Sequence, residues 1–440
     1  MEDFASLAEG IVIRALGAGA QDVVANVYAN NSYQIRFAQN QPVIGNRWRE
    51  RAVFVGLVVD KRVVATEIED LTRVNEAVDD LVALARKSQE NPIYGGIAEG
   101  PFQYADVSAD KQIIDLDGGG DYVEAAINSA LAEGAVETAG SFWKYDYEHF
   151  LHTSNGVEGH DRRVSVYLSV RAFLGPESSG HGIACAAKLS GFDPEGAGRK
   201  AGHIATMAKN PKRGEPGKYD ILLEPLILGT MIYEIGNRAS AYAVLAGLSP
   251  LKDKIGERVA SSAVTIVDDG SARSVNRRRF DDEGVPTKRN VLVDGGVMKT
   301  YLHNTSTAKF FKQETTANAG LIQPSPHALF CQPGDWGREE LLEEIKDGLW
   351  LTNAWYTRYQ SYVTGDFSTI PRDGIFRIRN GEVVEAWKDI RLTDNILNLW
   401  KRVDALGKET EQVKWWYEVP VPVFAPPAVA RDIGITRSAM

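Results

Sequence analysis

Cysteine is nearly missing from this chain of 440 residues: only Cys185 and Cys331 occur. A disulfide framework needs more, and no Cys-x-x-Cys spacing for a metal is present. Both thiols are expected to be small buried hydrophobes in a reducing compartment. Long apolar runs are missing too. Stretches such as Ala184 to Ala187 or Leu226 to Leu228 fall far below the ~18 residues of a membrane span. The first ten residues, MEDFASLAEG, lack the basic and apolar regions of a secretory signal. The expectation is a soluble, cytoplasmic protein with no membrane contact. An excess of positive charge is also lacking. The balance is 49 basic to 59 acidic residues, net −10, whereas neutralising phosphates calls for clustered Lys and Arg. Direct nucleic-acid binding is not expected, and Arg277, Arg278 and Arg279, followed by Asp281, Asp282 and Glu283, read as a solvated turn. No nucleophile elbow Gly-x-Ser-x-Gly occurs, and neither a fixed-period repeat nor a long βαβ alternation is found.

What remains is an ordinary globular composition, 44% apolar and 25% charged, with room for two or three domains. Helical spacing runs from Phe4 to Ala15, over 71–88, from Tyr122 to Glu133 and over 194–208. Hairpins are expected across Asn30-Asn31 and Asp60-Lys61. Val164, Val166, Leu168 and Val170 alternate strictly with Ser165, Tyr167 and Ser169, a half-buried strand. Residues 210–217 are polar, with two prolines and two glycines, and read as a linker. After it come a strand at Asp220–Leu223, a long helix over 225–245 and many short strands. Hairpins at Asp294-Gly295-Gly296 and Asn380-Gly381 follow, with helices at 339–348 and 395–406. The reading is α+β in two domains, 1–209 and 218–440. Antiparallel sheets with hairpins and packed helices build both, and the C-terminal sheet is curved or barrel-like.

The local chemistry is modest. Asp115, Asp117 and Asp121 lack the glutamate that closes a calcium loop, since Ala126 stands in its place. His149, His152 and His160 lie close together, but their spacing suits no standard metal site. Thr153-Ser154-Asn155-Gly156 reads as a turn, so His152 and Asn155 are candidates for the wall of a groove. Trp415, Trp416 and Tyr417 are candidates for a packed interface or an apolar groove wall.

One ordered series of segments is more specific. It begins with Ile221-Leu222-Leu223-Glu224-Pro225 and Tyr233-Glu234-Ile235-Gly236-Asn237-Arg238. Gly247-Leu248-Ser249-Pro250-Leu251 and Ile266-Val267-Asp268-Asp269-Gly270 follow. Then come Phe280-Asp281-Asp282-Glu283-Gly284-Val285-Pro286-Thr287 and Thr364-Gly365-Asp366-Phe367-Ser368. With the N-terminal helix and the Thr153–Gly156 turn, the series resembles the TldD/PmbA family over nearly the whole chain. The resemblance implies one of two kinds of subunit. The TldD kind is a zinc peptidase with His-Glu-x-x-x-His on the helix after the first C-terminal strand and a cysteine further on. Here Tyr233 and Arg238 stand at the histidine positions, Glu234 keeps the glutamate, and Cys331 falls too early for the third ligand. Phenol is a poor zinc ligand and guanidinium has no lone pair to give. The resemblance therefore implies a PmbA/TldE-like subunit with no catalytic residue, metal or cofactor of its own, zinc being expected only in a TldD-like partner. Its partners would be that subunit and a peptide substrate, in a hetero- or homodimer whose interface comes from the C-terminal half. The family is also associated with peptide-antibiotic maturation, antitoxin turnover and gyrase modulation. The competing reading is a stand-alone hydrolase using Glu234, His149, His152 or His303. Five steps on a regular helix turn a side chain by about 500°, so two ligands at that spacing need a deformed or ending helix. Gly236 could permit this, and an Arg238–Glu234 contact facing a cleft is the expected replacement for the metal.

Overall fold

The structure, a computed structural model, describes residues 3–320 and 322–437. Its N-terminal layer is a six-stranded antiparallel sheet. Its strands are β1 (Asp22–Ala38), β2 (Gln41–Val59), β3 (Arg62–Ile68), β4 (Glu137–Thr153), β5 (Glu158–Gly175) and β6 (Ser178–Ala186), in the order β3-β2-β1-β4-β5-β6. Period-2 alternation sends Val23, Ala25, Val27, Val53, Val55 and Leu57 to one face, where helices Phe4–Gly17 and Val74–Ala85 cover them. Further along, Phe37, Phe142 and the Val164 to Val170 series pack under helices Gly120–Ala132 and Pro194–Met207. The residues between them, among them Trp143, Tyr145, Ser165, Tyr167 and Ser169, fall on the opposite face of the pleat.

The remaining residues form a mixed sheet and a closed five-stranded barrel. The barrel runs through Asp347–Ser361, Gly217–Leu223, Ala428–Arg437, Ile390–Asn395 and Asp366–Arg379, and closes where the last of these pairs with the first. The α+β class and the barrel-like C-terminal sheet agree with the sequence. Most pairings are antiparallel, but Gly217–Leu223 lies parallel to Asp347–Ser361. No helix among the described residues is long and apolar enough to cross a membrane.

Several elements differ from the sequence reading. Asn30-Asn31 is not a turn. Both residues lie inside β1, where Asn30 Nδ2 donates to Glu50 Oε2 at 2.7 Å and Asn31 Oδ1 accepts from Arg51 at 3.3 Å. Gln39 and Asn40, with φ of 52° and 62°, make the turn instead. The helix expected over 225–245 is two helices, Pro225–Arg238 and Ala241–Leu245. Between them the backbone bonds to Leu302 rather than to itself: Leu302 N–H donates to Ala239 O at 2.8 Å, and Ala241 N–H donates to Leu302 O at 2.9 Å. The helix expected to reach Leu406 stops at Lys401, because Val403–Leu406 pairs as a strand with Ala428–Arg437. Inside the presumed linker, Lys212–Arg213 docks as a short strand beside Trp387 and Lys388. Cys331 is buried as expected, whereas Cys185 is only half-buried.

The run Arg277 to Arg279 is not a solvated turn. Arg278 pairs with Asp282 at 3.2 Å with most of its side chain covered, and Arg279 donates to the carbonyls of Ala105 and His160. The segment after it locks the C-terminal layers onto the N-terminal sheet. Phe280 inserts between Leu151 and Val157, so close to Gly159 that a Cβ there would lie 2.7 Å from its ring. The Asp281 carboxylate accepts three backbone N–H groups, from Glu283, Val285 and Ala319, at 2.9–3.0 Å. Burial, reinforced by the neighbouring Glu283, raises the Asp281 carboxyl well above its ordinary value.

Candidate functional site

Helix Pro225–Arg238 is the centre of the C-terminal core. It packs against the barrel strand Asp347–Ser361 and against Val419–Ala425 of the mixed sheet. Ten of its fourteen residues are buried. Such an all-round apolar helix belongs to a core rather than to a surface. It leaves Tyr233, Glu234, Asn237 and Arg238 as its accessible side chains. The helix is regular to its end. Gly236 serves close packing, not deformation: a Cβ there would lie 2.5 Å from Leu329.

Tyr233, Glu234 and Arg238 therefore share the C-terminal end of this helix, each half-buried. Arg238 does not close the expected ion pair with Glu234. Its Nη1 donates to the Leu248 carbonyl at 3.1 Å, and its guanidinium lies 4.7 Å from the Tyr362 ring centre and 5.5 Å from that of Tyr359. A carbonyl and two π-faces compete for it, because the helix ends at Arg238 and its side chain reaches beyond the last turn. Burial lifts the Glu234 carboxyl from 4.5 to about 7, against the opposing pull of Arg238 and of the Tyr359 hydroxyl. Burial likewise raises the Tyr233 phenol to about 12. The Tyr359 hydroxyl and Arg238 Nε are buried without a well-formed hydrogen bond, which marks this pocket of polar groups as incompletely satisfied.

A cavity of about 990 Å³ lies elsewhere. Its floor is the uncovered face of the N-terminal sheet, with Arg36, Trp143, Tyr145, Tyr167 and Arg171. Its roof is Trp355 of the barrel and Lys414 to Tyr417 at the tip of a hairpin. The strand Asp347–Ser361 connects the two places, since Trp355 lines the cavity and Tyr359 faces Glu234. The strand is bulged between them, with a register shift from Trp355 to Arg358. Glu418 holds the bulge: its carboxylate accepts the N–H groups of Tyr356 at 2.8 Å and Thr357 at 3.2 Å. Tyr356 and Trp416 both sit in the left-handed region, with φ of 59° and 44°. Non-glycine residues are held there only where the surroundings over-determine them, which is common at ligand sites.

Trp415 and Trp416 thus line the cavity. His152 and Asn155 do not: His152 lies at the far end of β4, 3.9 Å from Glu158, and Asn155 is in the turn after it. The histidines are not gathered either. Buried His149 Nε2 meets Asn26 Oδ1, and His303 Nδ1 lies 3.3 Å from the Thr307 hydroxyl in another layer. Burial pushes His303 down to about 4 and His149 well below the ordinary imidazole value. Among the described residues no three His, Cys, Asp or Glu side chains are grouped to hold a metal ion.

Sequence reasoning missed the lock between the layers at this cavity. Asp373 receives Arg171, the Ser179 hydroxyl at 2.7 Å and Asn353 Nδ2 at 3.2 Å, and Asn353 in turn meets His181 at 3.0 Å. Burial would raise the Asp373 carboxyl, but Arg171 and His181 outweigh it and hold it below its ordinary value. Lys200 similarly joins the N-terminal layer to Glu411 at 2.7 Å. The partners are ~200 residues apart, and no local pattern announces them.

An antiparallel sheet is thus joined to a five-stranded barrel and a mixed sheet that pack around one buried helix. Residues 216–437 match the PmbA/TldA metallopeptidase C-terminal domain and residues 104–209 the PmbA/TldA metallopeptidase central domain. The chain belongs to this TldD/PmbA family. A metalloprotease of Methanocaldococcus jannaschii is 35% identical over 52% of this chain and 55% of its own length. A metalloprotease of Methanothermobacter thermautotrophicus is 31% identical over 65% of this chain and 66% of its own. The matches thus span between half and two thirds of these relatives. TldE from Thermococcus kodakarensis has the same fold, with a TM-score of 0.84 over 97% of this chain and 99% of that one, at 18% identity.

Proposed function

We propose that this chain is the non-catalytic, TldE-like subunit of a TldD/TldE-type metallopeptidase complex that acts on unfolded or small peptides in the cytoplasm. One observation carries the reading. At the end of the buried helix, where the peptidase subunits are expected to present two histidines, this chain has Tyr233 and Arg238, and Arg238 is engaged by Leu248, Tyr359 and Tyr362. A phenol, a guanidinium and one carboxylate cannot hold zinc with an open position for water. The TldE likeness and the metalloprotease names among relatives support the family side of the reading. In this view the chain has two domains joined near 210–217, dimerises through its C-terminal half and supplies a groove wall rather than a catalytic group. Co-expression with a TldD-like subunit tests it. Chelator-sensitive cleavage of an unfolded peptide should appear only with both chains present. Cleavage by this chain alone, stopped by a zinc chelator and accompanied by about one zinc per chain, overturns it.

A further inference from the structure

The cavity between the N-terminal sheet and the hairpin tip has a charge pattern opposite to that of the whole molecule. The chain is net −10, yet among the described residues no Asp or Glu lines this cavity, while Arg36, Arg171 and Lys414 do. Arg171 is balanced by Asp373 behind the wall. Arg36 is exposed on β1. Lys414 is half-buried and rests 5.5 Å from the Tyr145 ring centre, a cation over an aromatic face instead of beside a carboxylate. Burial holds its ammonium below the ordinary lysine value, so an anion brought to it would gain both a partner and a weakly hydrated one.

Much of the remaining lining is aromatic, with Trp143, Tyr145, Tyr167, Trp355, Trp415 and Trp416 set among small and aliphatic residues such as Val43, Ile44 and Ser169. Trp48, Trp143 and Tyr145 stack in series at 5.3 and 5.4 Å, and Trp355 meets Trp415 at 5.1 Å and Trp416 at 6.1 Å. Trp416 and Tyr417 stand exposed at the mouth, 53% and 80% accessible, where left-handed backbone at Trp416 presents the ring. A volume of about 990 Å³ is at the top of the range for small-ligand sites, about 300–1,000 Å³. It is large enough for several residues of extended chain. Aromatic rings beside cations also suit single-stranded nucleic acid. Two unbalanced cations within a field of net −10 are, however, a poor electrostatic footprint for a polyphosphate.

We infer that this cavity is a docking groove for an extended peptide segment bearing acidic side chains, with Lys414 and Arg36 receiving the carboxylates and the tryptophans receiving the flanking apolar residues. This deepens the proposed function by naming a substrate class, and it can be tested without any partner subunit.

The test is calorimetric titration of the purified chain at low salt with end-capped eight-residue peptides. These contain two leucines, one phenylalanine and, in parallel versions, two glutamates, two glutamines or two lysines; an eight-nucleotide oligothymidine is the fourth probe. The glutamate peptide should bind at least about tenfold tighter than the glutamine one, and the lysine peptide should not bind measurably. Lys414→Met should remove most of that tenfold preference and leave the glutamine peptide unchanged. Arg36→Gln, on an exposed strand position, should weaken the preference in a variant whose folding is not at risk. Equal affinity for the glutamate and glutamine peptides, a preference untouched by both substitutions, or tighter binding of the oligothymidine would each overturn the inference. Failure here would leave the two-subunit activity assay unaffected, so the two readings stand or fall separately.

Discussion

Replacing Glu234 by glutamine should make the protein more stable in alkaline than in acidic solution relative to wild type. The reason is the placement of the carboxyl at the end of a core helix, where burial lifts it from 4.5 to about 7. In the unfolded chain it ionises near 4.5; in the folded chain it keeps its proton until about 7. Between these limits the native state binds more protons than the unfolded state, so this group makes stability fall as pH rises. Below 4.5 both states are protonated and above about 7 both are ionised, so the contribution is flat outside the window. At ~1.4 kcal/mol per tenfold, the displacement amounts to roughly 3 kcal/mol. Glutamine has nearly the shape of the protonated acid and no charge to lose. Wild type and Glu234→Gln should match near pH 4, and the variant should be the more stable by up to roughly 3 kcal/mol at pH 8. Urea denaturation of both proteins at pH 4, 5, 6, 7 and 8 reads this directly. Asp268, raised by burial to about 6, and Glu283, raised to about 7, titrate in the same range. They are common to both proteins and cancel in the difference. A difference that stays constant with pH, or grows toward acid, would refute the assignment of a buried, lifted carboxyl at this position.

Three other outcomes follow from the same structure. Asp281→Ala orphans three backbone donors in the Phe280–Gly284 lock and should cost more than about 3 kcal/mol at ~1–3 kcal/mol per unmet group, seen as a lower urea midpoint. Gly182→Ala would put a Cβ 2.0 Å from the Ala197 carbonyl of the helix packed on β6; a loss of about 1–3 kcal/mol is expected from the overpacking, checked by thermal denaturation. The double change Tyr233→His and Arg238→His should not yield a zinc-dependent peptidase, because Glu234 and two imidazoles lack the cysteine ligand; metal analysis and peptide cleavage by the variant alone check this.

What was legible in the sequence was mostly local. Asp60-Lys61 and Asn380-Gly381 announce their hairpins because residues tolerant of left-handed backbone stand between alternating strands, and both turns adopt it. Asn30-Asn31 gives the same signal and is wrong, because the partners that keep those side chains in the strand, Glu50 and Arg51, lie twenty residues away. The break at Ser240 is set by Leu302 and the end of the last helix by Ala428–Arg437, and neither is visible from the helical stripe itself. The alternation from Val164 to Val170 was clear, but not that its polar side would be a cavity floor roofed by residues ~250 positions later. Trp415, Trp416 and Tyr417 could be singled out as an aromatic cluster, read as a packed interface or an apolar groove wall. Lys414 and Arg36 carry no such mark; only the absence of carboxylates around them, a tertiary fact, does.

The distribution of burial along the central helix separates the positions that hold the core from those whose side chains are free to vary. From Pro225 to Ile232 the helix is buried on every side, with Gly229 in contact range of Val413, and further on Gly236 packs against Leu329. Any change there opens a cavity or forces an overlap, and either is costly in a close-packed interior. Tyr233, Glu234, Asn237 and Arg238 are the positions where side chains are not wholly enclosed, so chemistry can change there at little structural cost. The aromatic residues opposite engage the last of them. Tyr359 and Tyr362 offer their π-faces to the Arg238 guanidinium. The helix end is met by a cation–π contact and one carbonyl rather than by a full set of partners.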